Sequence, residues 1–169
     1  MKPLIAGSLC GVALLGLSLA VYVGGGFMEV AADAAPPAWE AALMTSAVHA
    51  SVQRRAPALR NPLPPGDETF IAGGKLYMKD CAGCHGAPGQ PPSDFGATFY
   101  PRAPQLPRVG SRYTEAQIFW VAKHGIRRSG MYPQALSYSD ARLWSLAAFI
   151  ARITNLPPAV AKALRPPQP

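Results

Sequence analysis

The chain has 169 residues and 49% of them are hydrophobic, which excludes a largely disordered protein. Its three cysteines cannot form a closed disulfide framework. Sixteen basic residues against nine acidic ones give a formal charge of +7, so nucleic-acid binding has to be judged by where these charges lie.

An uninterrupted apolar segment, Leu4 to Val23, comes first and contains no charged residue and no proline. In a helix it would span the roughly 30 Å hydrocarbon core of a bilayer, so we expect a transmembrane anchor within residues 1–28. Lys2 precedes the segment and Glu29 is the first charge after it. This asymmetry favours a cytoplasmic N-terminus and a periplasmic body in a single-pass inner-membrane protein. The alternative is a signal peptide that is cleaved at Val30-Ala31-Ala32 or at Ala32-Asp33-Ala34.

Residues 29–65 have the character of a spacer. Residues at helical spacing predict a helix from Trp39 to Arg55 with one apolar stripe. The stripe is formed by Trp39, Leu43, Ala47 and Ser51, with Met44, Val48 and Val52 beside it. Prolines between residues 57 and 65 then predict an extended linker. We expect this helix either to pack on the body of the protein or to lie at the membrane surface.

The globular part is predicted over residues 66–160, followed by a short tail at 161–169. A first helix is expected from Asp67, which acts as its N-cap, to about Asp80. Residues 86–112 contain many prolines and no helical period, so they predict a long irregular loop. A loop of this length in a small domain needs something else to organise it.

Two further helices complete the predicted domain. Thr114 and Gln117 form a capping box ahead of the second helix, which Gly125 ends. The third helix is expected to start at Ser137–Asp140 and to continue until Pro157 stops it. Because no strand pattern of useful length is present, the sequence predicts an all-helical domain.

The segment Cys81-Ala82-Gly83-Cys84-His85 has the Cys-x-x-Cys-His spacing of covalent c-type haem attachment. Two thiols at i and i+3 lie on one side of a helical turn, where both can form thioethers and the adjacent histidine can ligate iron. A thioredoxin-type redox pair would need a βαβ setting, which the pattern lacks. A zinc site would need further ligands, and the remaining cysteine, Cys10, lies in the apolar segment.

Iron held by His85 needs a sixth ligand, or else an open position for chemistry. We predict Met131 as this ligand, because it lies between two helices in a loop that contains glycine and proline, and a thioether favours reduced iron. His124 is the second candidate, although it is more simply a residue at a helix C-terminus. The other candidates are Met78, Met44 and His49.

These motifs resemble the class I c-type cytochromes, and especially the membrane-anchored monohaem cytochromes c of proteobacteria. The resemblance covers residues 66–160 and implies an all-α class I cytochrome c fold, with three to four helices around one covalently attached haem c. The motifs that carry it are Gly73-Gly74-Lys75-Leu76-Tyr77, Cys81-Ala82-Gly83-Cys84-His85, Pro104-Gln105-Leu106, Lys123-His124-Gly125 and Gly130-Met131.

In such proteins the first and last helices cross at a contact between glycine and an aromatic residue. Here this contact would set Gly73 or Gly74 against Phe149 or Trp144. A glycine inside a helix costs about 1 kcal/mol, so it usually marks a close approach.

The resemblance also implies contacts around the haem. The carbonyl of Pro104 would accept a hydrogen bond from the ring of His85, and Leu106 would pack on the haem face. Independently of the resemblance, we expect the arginines of the long loop to be solvated surface residues. The alternative is that one of them, Arg102 or Arg112, pairs with a haem propionate.

With both axial positions filled, the iron would have no place for a substrate, so we predict electron transfer and not catalysis. Two alternatives stay open: a haem subunit of a larger dehydrogenase or oxidase complex of a respiratory chain, and a haem with an open sixth site that acts as a gas sensor or peroxidase. No nucleic-acid-binding signature is present. Residues 66–169 hold 12 basic and six acidic residues, an excess predicted to steer the domain toward acidic docking surfaces on redox partners.

Overall fold

The computed structural model describes residues 2–31 and 34–165, and within these ranges the chain forms helices and turns with no strand. The prediction of an all-α protein is confirmed. Two compact units are distinguished, Met1–Pro36 and Pro37–Pro169. Ala32 and Asp33, which belong to the alternative cleavage positions, and residues 166–169 of the predicted tail lie outside the described residues.

The first unit contains one long helix, α1 (Lys2–Gly24). Its apolar stretch from Gly7 to Gly24 has no buried residue, and its length and composition suffice to cross a membrane. The helix agrees with the predicted segment from Leu4 to Val23 and is compatible with a single-pass membrane anchor.

The second unit is built from longer helices joined by loops that contain single helical turns. In its described residues the α-helices are α2 (Ala38–Arg55), α3 (Asp67–Asp80), α4 (Ala82–His85), α5 (Asp94–Ala97), α6 (Leu106–Val109), α7 (Glu115–His124), α8 (Asp140–Ile150) and α9 (Pro158–Ala163). A short 3-10 helix, Gln134–Leu136, precedes α8.

Helix α3 has the predicted bounds, but Asp67 is not its cap. Gly66 occupies the N-cap position, and no side-chain hydrogen bond closes this end. Asp67 and Glu68 lie instead in the first turn, where their carboxylates face the positive end of the helix dipole. The prediction of Asp67 as N-cap is therefore wrong by one position, although the residue still favours the same helix start.

Helix α7 begins with the capping box that its sequence predicts. The Thr114 hydroxyl accepts a hydrogen bond from the Gln117 amide at 3.3 Å, and the Gln117 side chain accepts one from the Thr114 amide at 3.0 Å. The helix ends at Gly125, which has a φ of +67°. A residue with a side chain would be strained at this φ, so the glycine allows the chain to turn away from the helix axis.

One predicted helix boundary is wrong, and one predicted loop contains short helices. Helix α8 ends at Ile150 and does not continue to Pro157, because the backbone tightens into i→i+3 turns, with Arg152 N bonded to Phe149 O at 3.0 Å. The predicted irregular loop of residues 86–112 contains the single turns α5 and α6. Turns of four residues are too short to produce a helical period in the sequence.

The core forms where α3 crosses α8. A Cβ at Gly73 would overlap the backbone carbonyl of Ser145, so the two helix backbones touch at this position. A Cβ at Gly74 would lie 3.0 Å from Cε2 of Phe149. The ring of Phe149 in turn packs on Tyr77, with ring centroids 5.4 Å apart. The close approach of glycine and an aromatic residue is thus present at the Gly74–Phe149 pair.

Helix α7 packs on α8 through aromatic residues. The rings of Phe119 and Trp144 are stacked, with centroids 4.1 Å apart and an angle of 5° between their planes. Both side chains are buried, and so are Leu143 and Leu146 of α8. Buried apolar faces on α3, α7 and α8 therefore share one core.

Helix α2 packs against the core, but the residues that it buries are not those of its predicted apolar stripe. Val52 is only 1% exposed, and α2 packs on α7. By contrast, Trp39 is 65% and Leu43 55% exposed. The stripe that begins at Trp39 therefore faces away from the core, whereas the face with Val52 packs against it.

The linker after α2 is also attached to the body. The Asn61 side-chain amide donates hydrogen bonds to Glu115 Oε2 and to the Trp144 carbonyl, both at 3.1 Å. Residues 37–65 thus lie in the same compact unit as residues 66–160, and α9 crosses the predicted boundary at residue 160. The functional division into anchor, spacer, haem domain and tail stays a prediction.

Candidate haem site

The Cys-x-x-Cys-His segment follows α3 without a break and forms the turn α4. Cys81 is both the C-cap of α3 and the N-cap of α4, and its carbonyl accepts hydrogen bonds from the amides of Cys84 at 3.1 Å and His85 at 2.9 Å. One helical turn therefore carries both sulfur atoms and the imidazole. Cys81 is buried, whereas Cys84 and His85 are partly exposed. This arrangement fits a planar group that is bonded covalently from one side.

The surroundings of Cys81 do not suit a redox dithiol. Burial raises the pKa of the Cys81 thiol to about 12, and the neighbouring Asp80 carboxylate and Cys84 act in the same direction. A thiol that attacks disulfides needs a lowered pKa, because the thiolate is the reactive form. The surroundings of Cys81 thus argue against a thioredoxin-type exchange site, and its role as a point of attachment stays a prediction.

The His85 ring is oriented by a backbone acceptor. Its Nδ1 lies 2.9 Å from the carbonyl oxygen of Pro104, as the resemblance implied. Because a carbonyl only accepts, Nδ1 carries the proton and Nε2 keeps its lone pair. Burial lowers the pKa of His85, and the hydrogen bond to Pro104 offsets part of that shift. A neutral imidazole with a free Nε2 is the form that ligates iron.

Two polar side chains, for which the sequence predicted no role, connect the loop of residues 86–112 to α4. We call α4, which carries the Cys-x-x-Cys-His motif, the attachment turn. The Gln105 amide group donates to the Cys84 carbonyl at 3.0 Å, and its oxygen accepts from the Ser93 amide at 2.7 Å. The Ser93 hydroxyl donates to the Gly83 carbonyl at 2.5 Å. The only indication of these hydrogen bonds in the sequence was that Gln105 lies inside the Pro-Gln-Leu motif.

Three further residues pack around or near the same turn. The Tyr77 hydroxyl, fully buried, donates to the Gly86 carbonyl at 2.6 Å. A Cβ at Gly96 would overlap the carbonyl of Cys84, so α5 lies directly on the attachment turn. Leu106, the first residue of α6, is 8% exposed and belongs to the core. The irregular loop is thereby organised around the attachment motif.

Met131 lies in the loop between α7 and the 3-10 helix and is partly buried. Its carbonyl accepts a hydrogen bond from the Ile126 amide at 2.8 Å, and its amide donates to the Ser129 hydroxyl at 3.1 Å. A Cβ at Gly125 would lie 2.5 Å from the Met131 carbonyl oxygen. The backbone of this residue is therefore held against the end of α7.

The other candidates for the sixth ligand have different surroundings. His124 is exposed, and its ring lies against Trp120 with centroids 5.1 Å apart. The His49 ring contacts the hydroxyl of Tyr113 and accepts a hydrogen bond from Arg112. Met78 and Met44 are exposed residues of α3 and α2. The contact with His49 also engages Arg112, one of the two arginines considered for a propionate.

A metal site made of side chains alone is not found among residues 2–31 and 34–165, since no three histidine, cysteine or acidic residues cluster there. The site combines a Cys-x-x-Cys-His turn that follows a helix, a crossing between that helix and α8, and an imidazole with one free nitrogen. Together these features are typical of the class I c-type cytochromes.

The comparison with protein families agrees with this interpretation of the site. Residues 68–150 match the family model described as "Cytochrome C oxidase, cbb3-type, subunit III", a c-type cytochrome domain. This part of the chain is thus a c-type cytochrome domain, which implies covalently bound haem c with iron, is consistent with class I and suggests a haem-based role in electron transfer. No curated protein and no solved structure matches the chain at a significant level.

Proposed function

We propose that the protein is a membrane-tethered electron carrier in which Cys81 and Cys84 attach one haem c and His85 and Met131 are its axial ligands. The observation that carries this proposal is the hydrogen bond from His85 Nδ1 to the Pro104 carbonyl, which leaves Nε2 free for iron. The bound haem supplies a one-electron iron couple.

Each residue has a distinct role in this proposal. Cys81 and Cys84 hold the group covalently, so that it is retained in both oxidation states. Pro104 keeps the His85 ring in one orientation and one tautomer. Met131 supplies a soft, neutral thioether that favours reduced iron and raises the potential. Leu106 contributes apolar surface that excludes water from the site.

The test of the axial ligand is Met131→Ala, with His124→Ala as the matched control. We expect Met131→Ala to lower the midpoint potential and to let the reduced iron bind carbon monoxide, because the sixth position becomes free. His124→Ala should leave both properties as in the wild type. An unchanged potential in Met131→Ala would remove this residue from the site, and carbon monoxide binding by the wild type would favour a sensor or peroxidase.

A second candidate function is that of a haem subunit in an oxidase complex, which the description of the matching family model favours. Mild detergent extraction followed by size separation distinguishes the two functions. A carrier that works alone should run with its haem absorbance at the size of one chain plus detergent. Comigration of this haem with further haem absorbance and oxidase activity would favour the subunit.

We infer that α1 anchors the chain and that the second unit lies in the periplasm. The length and composition of α1 and the need for c-type haem attachment outside the cytoplasm support this location. Protease added to spheroplasts should then remove the haem domain while a cytoplasmic marker stays intact. Resistance of the haem domain until the membrane is permeabilised would contradict this orientation.

A further inference from the structure

We propose that Phe99 is a positioning residue that holds the Met131 loop in place. The inference rests on the proposed ligation by His85 and Met131 and adds a residue that fixes the geometry of the second ligand. Phe99 belongs to the long loop between α5 and α6, so its ring joins two segments that are distant in the sequence.

The ring lies directly on the residue before the ligand. A Cβ at Gly130 would be 2.5 Å from Cε1, 2.9 Å from Cδ1 and 3.0 Å from Cζ of Phe99. No side chain fits between this backbone and the ring. Phe95 supports the ring from another side in an edge-to-face arrangement, with centroids 5.1 Å apart.

The segment that carries Phe99 is itself fastened to the haem-attachment turn. Ser93 caps α5 by accepting a hydrogen bond from the Gly96 amide at 2.9 Å, and its hydroxyl also donates to the Gly83 carbonyl. The Ala103 amide donates to the Gly96 carbonyl at 3.0 Å, which closes the loop on the far side of Phe99. These hydrogen bonds therefore connect the attachment turn, through α5, to the segment that carries Phe99.

The Met131 loop needs such support from outside. Residues 127–130 are all exposed, and Arg128 has a φ of +61°, a strained conformation for a residue with a side chain. Hydrogen bonds to Ile126 and Ser129 hold Met131 at the base of the loop. The Phe99 ring adds packing at Gly130, on the stretch that is otherwise surrounded by solvent.

The first test is Phe99→Ala in the full-length haem protein. Loss of the ring should raise the fraction of molecules with Met131 detached, so carbon monoxide association with reduced iron should become about tenfold faster, equivalent to about 1.4 kcal/mol. The thioether–iron charge-transfer band of the oxidised protein should weaken in parallel. Leu136→Ala is the control, because Leu136 is 85% exposed and should change neither property.

The second test places the perturbation on the other partner. Gly130→Ala would force a methyl group against the Phe99 ring and should also weaken the band. In the double variant the ring is absent, so the methyl group should add little to the effect of Phe99→Ala alone. Such non-additivity is the signature of a direct contact and is measurable as long as the variants bind haem.

The outcomes separate this inference from the proposed ligation. A wild type without the charge-transfer band, or one whose spectrum Met131→Ala does not alter, would overturn the ligation and the inference with it. If Met131→Ala removes the band while Phe99→Ala leaves the band and the carbon monoxide rate unchanged, the positioning role alone is overturned. Fully additive effects of Phe99→Ala and Gly130→Ala would also overturn it.

Discussion

The close approach of α3 and α8 makes Gly73→Ala the most informative test of the fold. The added methyl group would overlap the Ser145 carbonyl and lie 2.9 Å from the Leu146 amide nitrogen. These are backbone atoms of a buried helix, so they cannot rotate aside as a side chain would. The variant can relieve the overlap only if the two helices move apart.

The expected magnitude follows from two opposing effects. Overpacking of a core costs about 1–3 kcal/mol, and the upper part of this range applies because the clash is with backbone. Alanine is favoured over glycine in a helix by about 1 kcal/mol, which offsets part of the cost. We expect a net loss of about 2 kcal/mol in the free energy of unfolding, which corresponds to roughly 1 M in the urea midpoint.

The measurement is urea unfolding of the full-length protein in detergent, followed by far-ultraviolet circular dichroism. Gly83→Ala is the control, because a Cβ at this helical position meets nothing within 4 Å, and it should be neutral or stabilising. Gly74→Ala should fall between the two, since its Cβ would meet the movable side chain of Leu164. A Gly73→Ala variant as stable as the wild type would refute the backbone contact between α3 and α8.

Three further predictions concern the surroundings of the site. Gln105→Ala should lower the free energy of unfolding by about 1–2 kcal/mol in a urea titration, because it leaves the Cys84 carbonyl and the Ser93 amide without this partner. Gln90 is exposed, so Gln90→Ala should have no effect in the same titration. Burial, and to a smaller extent Arg112, lower the pKa of His49 in the folded state below its ordinary value of 6.5. As the pH falls below 6.5, the unfolded chain therefore binds a proton at His49 before the folded protein does, and the protein should lose stability. His49→Gln should flatten this dependence in urea midpoints measured from pH 8 to pH 5, and equal slopes for the two proteins would exclude the titration of His49 as its cause. Electron transfer to an acidic partner protein should slow as salt is added, because the basic excess of residues 66–169 steers the encounter. A rate that does not depend on salt in stopped-flow measurements would argue against steering.

Helices α3 and α7 were predictable because their signals are local. A capping box and a terminal glycine lie within one or two turns of the residues that they organise, as at Thr114 and Gly125. The end of α8 was not predictable in this way, since apolar residues continue to Ile153 although the backbone has already tightened into turns at Ile150. The face of α2 was ambiguous for a related reason, because both Trp39 and Val52 are apolar and only the tertiary structure decides which of them is buried.

The residues of the candidate site also differ in whether local sequence or distant contacts determine their positions. Covalent attachment requires a fixed spacing between two cysteines and a histidine, so Cys81, Cys84 and His85 are recognisable within five residues of sequence. Turns α5 and α6 depend instead on distant partners, such as the Gly83 carbonyl for Ser93 and the Cys84 carbonyl for Gln105. The contact between His49 and Arg112 joins residues 63 positions apart, and no local pattern marks it.

In the proposed ligation the iron has no free position, because His85 and Met131 would occupy both axial sites. The absorption spectrum of the oxidised full-length protein, purified from membranes with its haem, tests this most directly. We predict a low-spin spectrum with a thioether–iron charge-transfer band near its red end, and loss of that band in Met131→Ala. A high-spin spectrum of the wild type would contradict the claim and identify a site that is open for ligand binding.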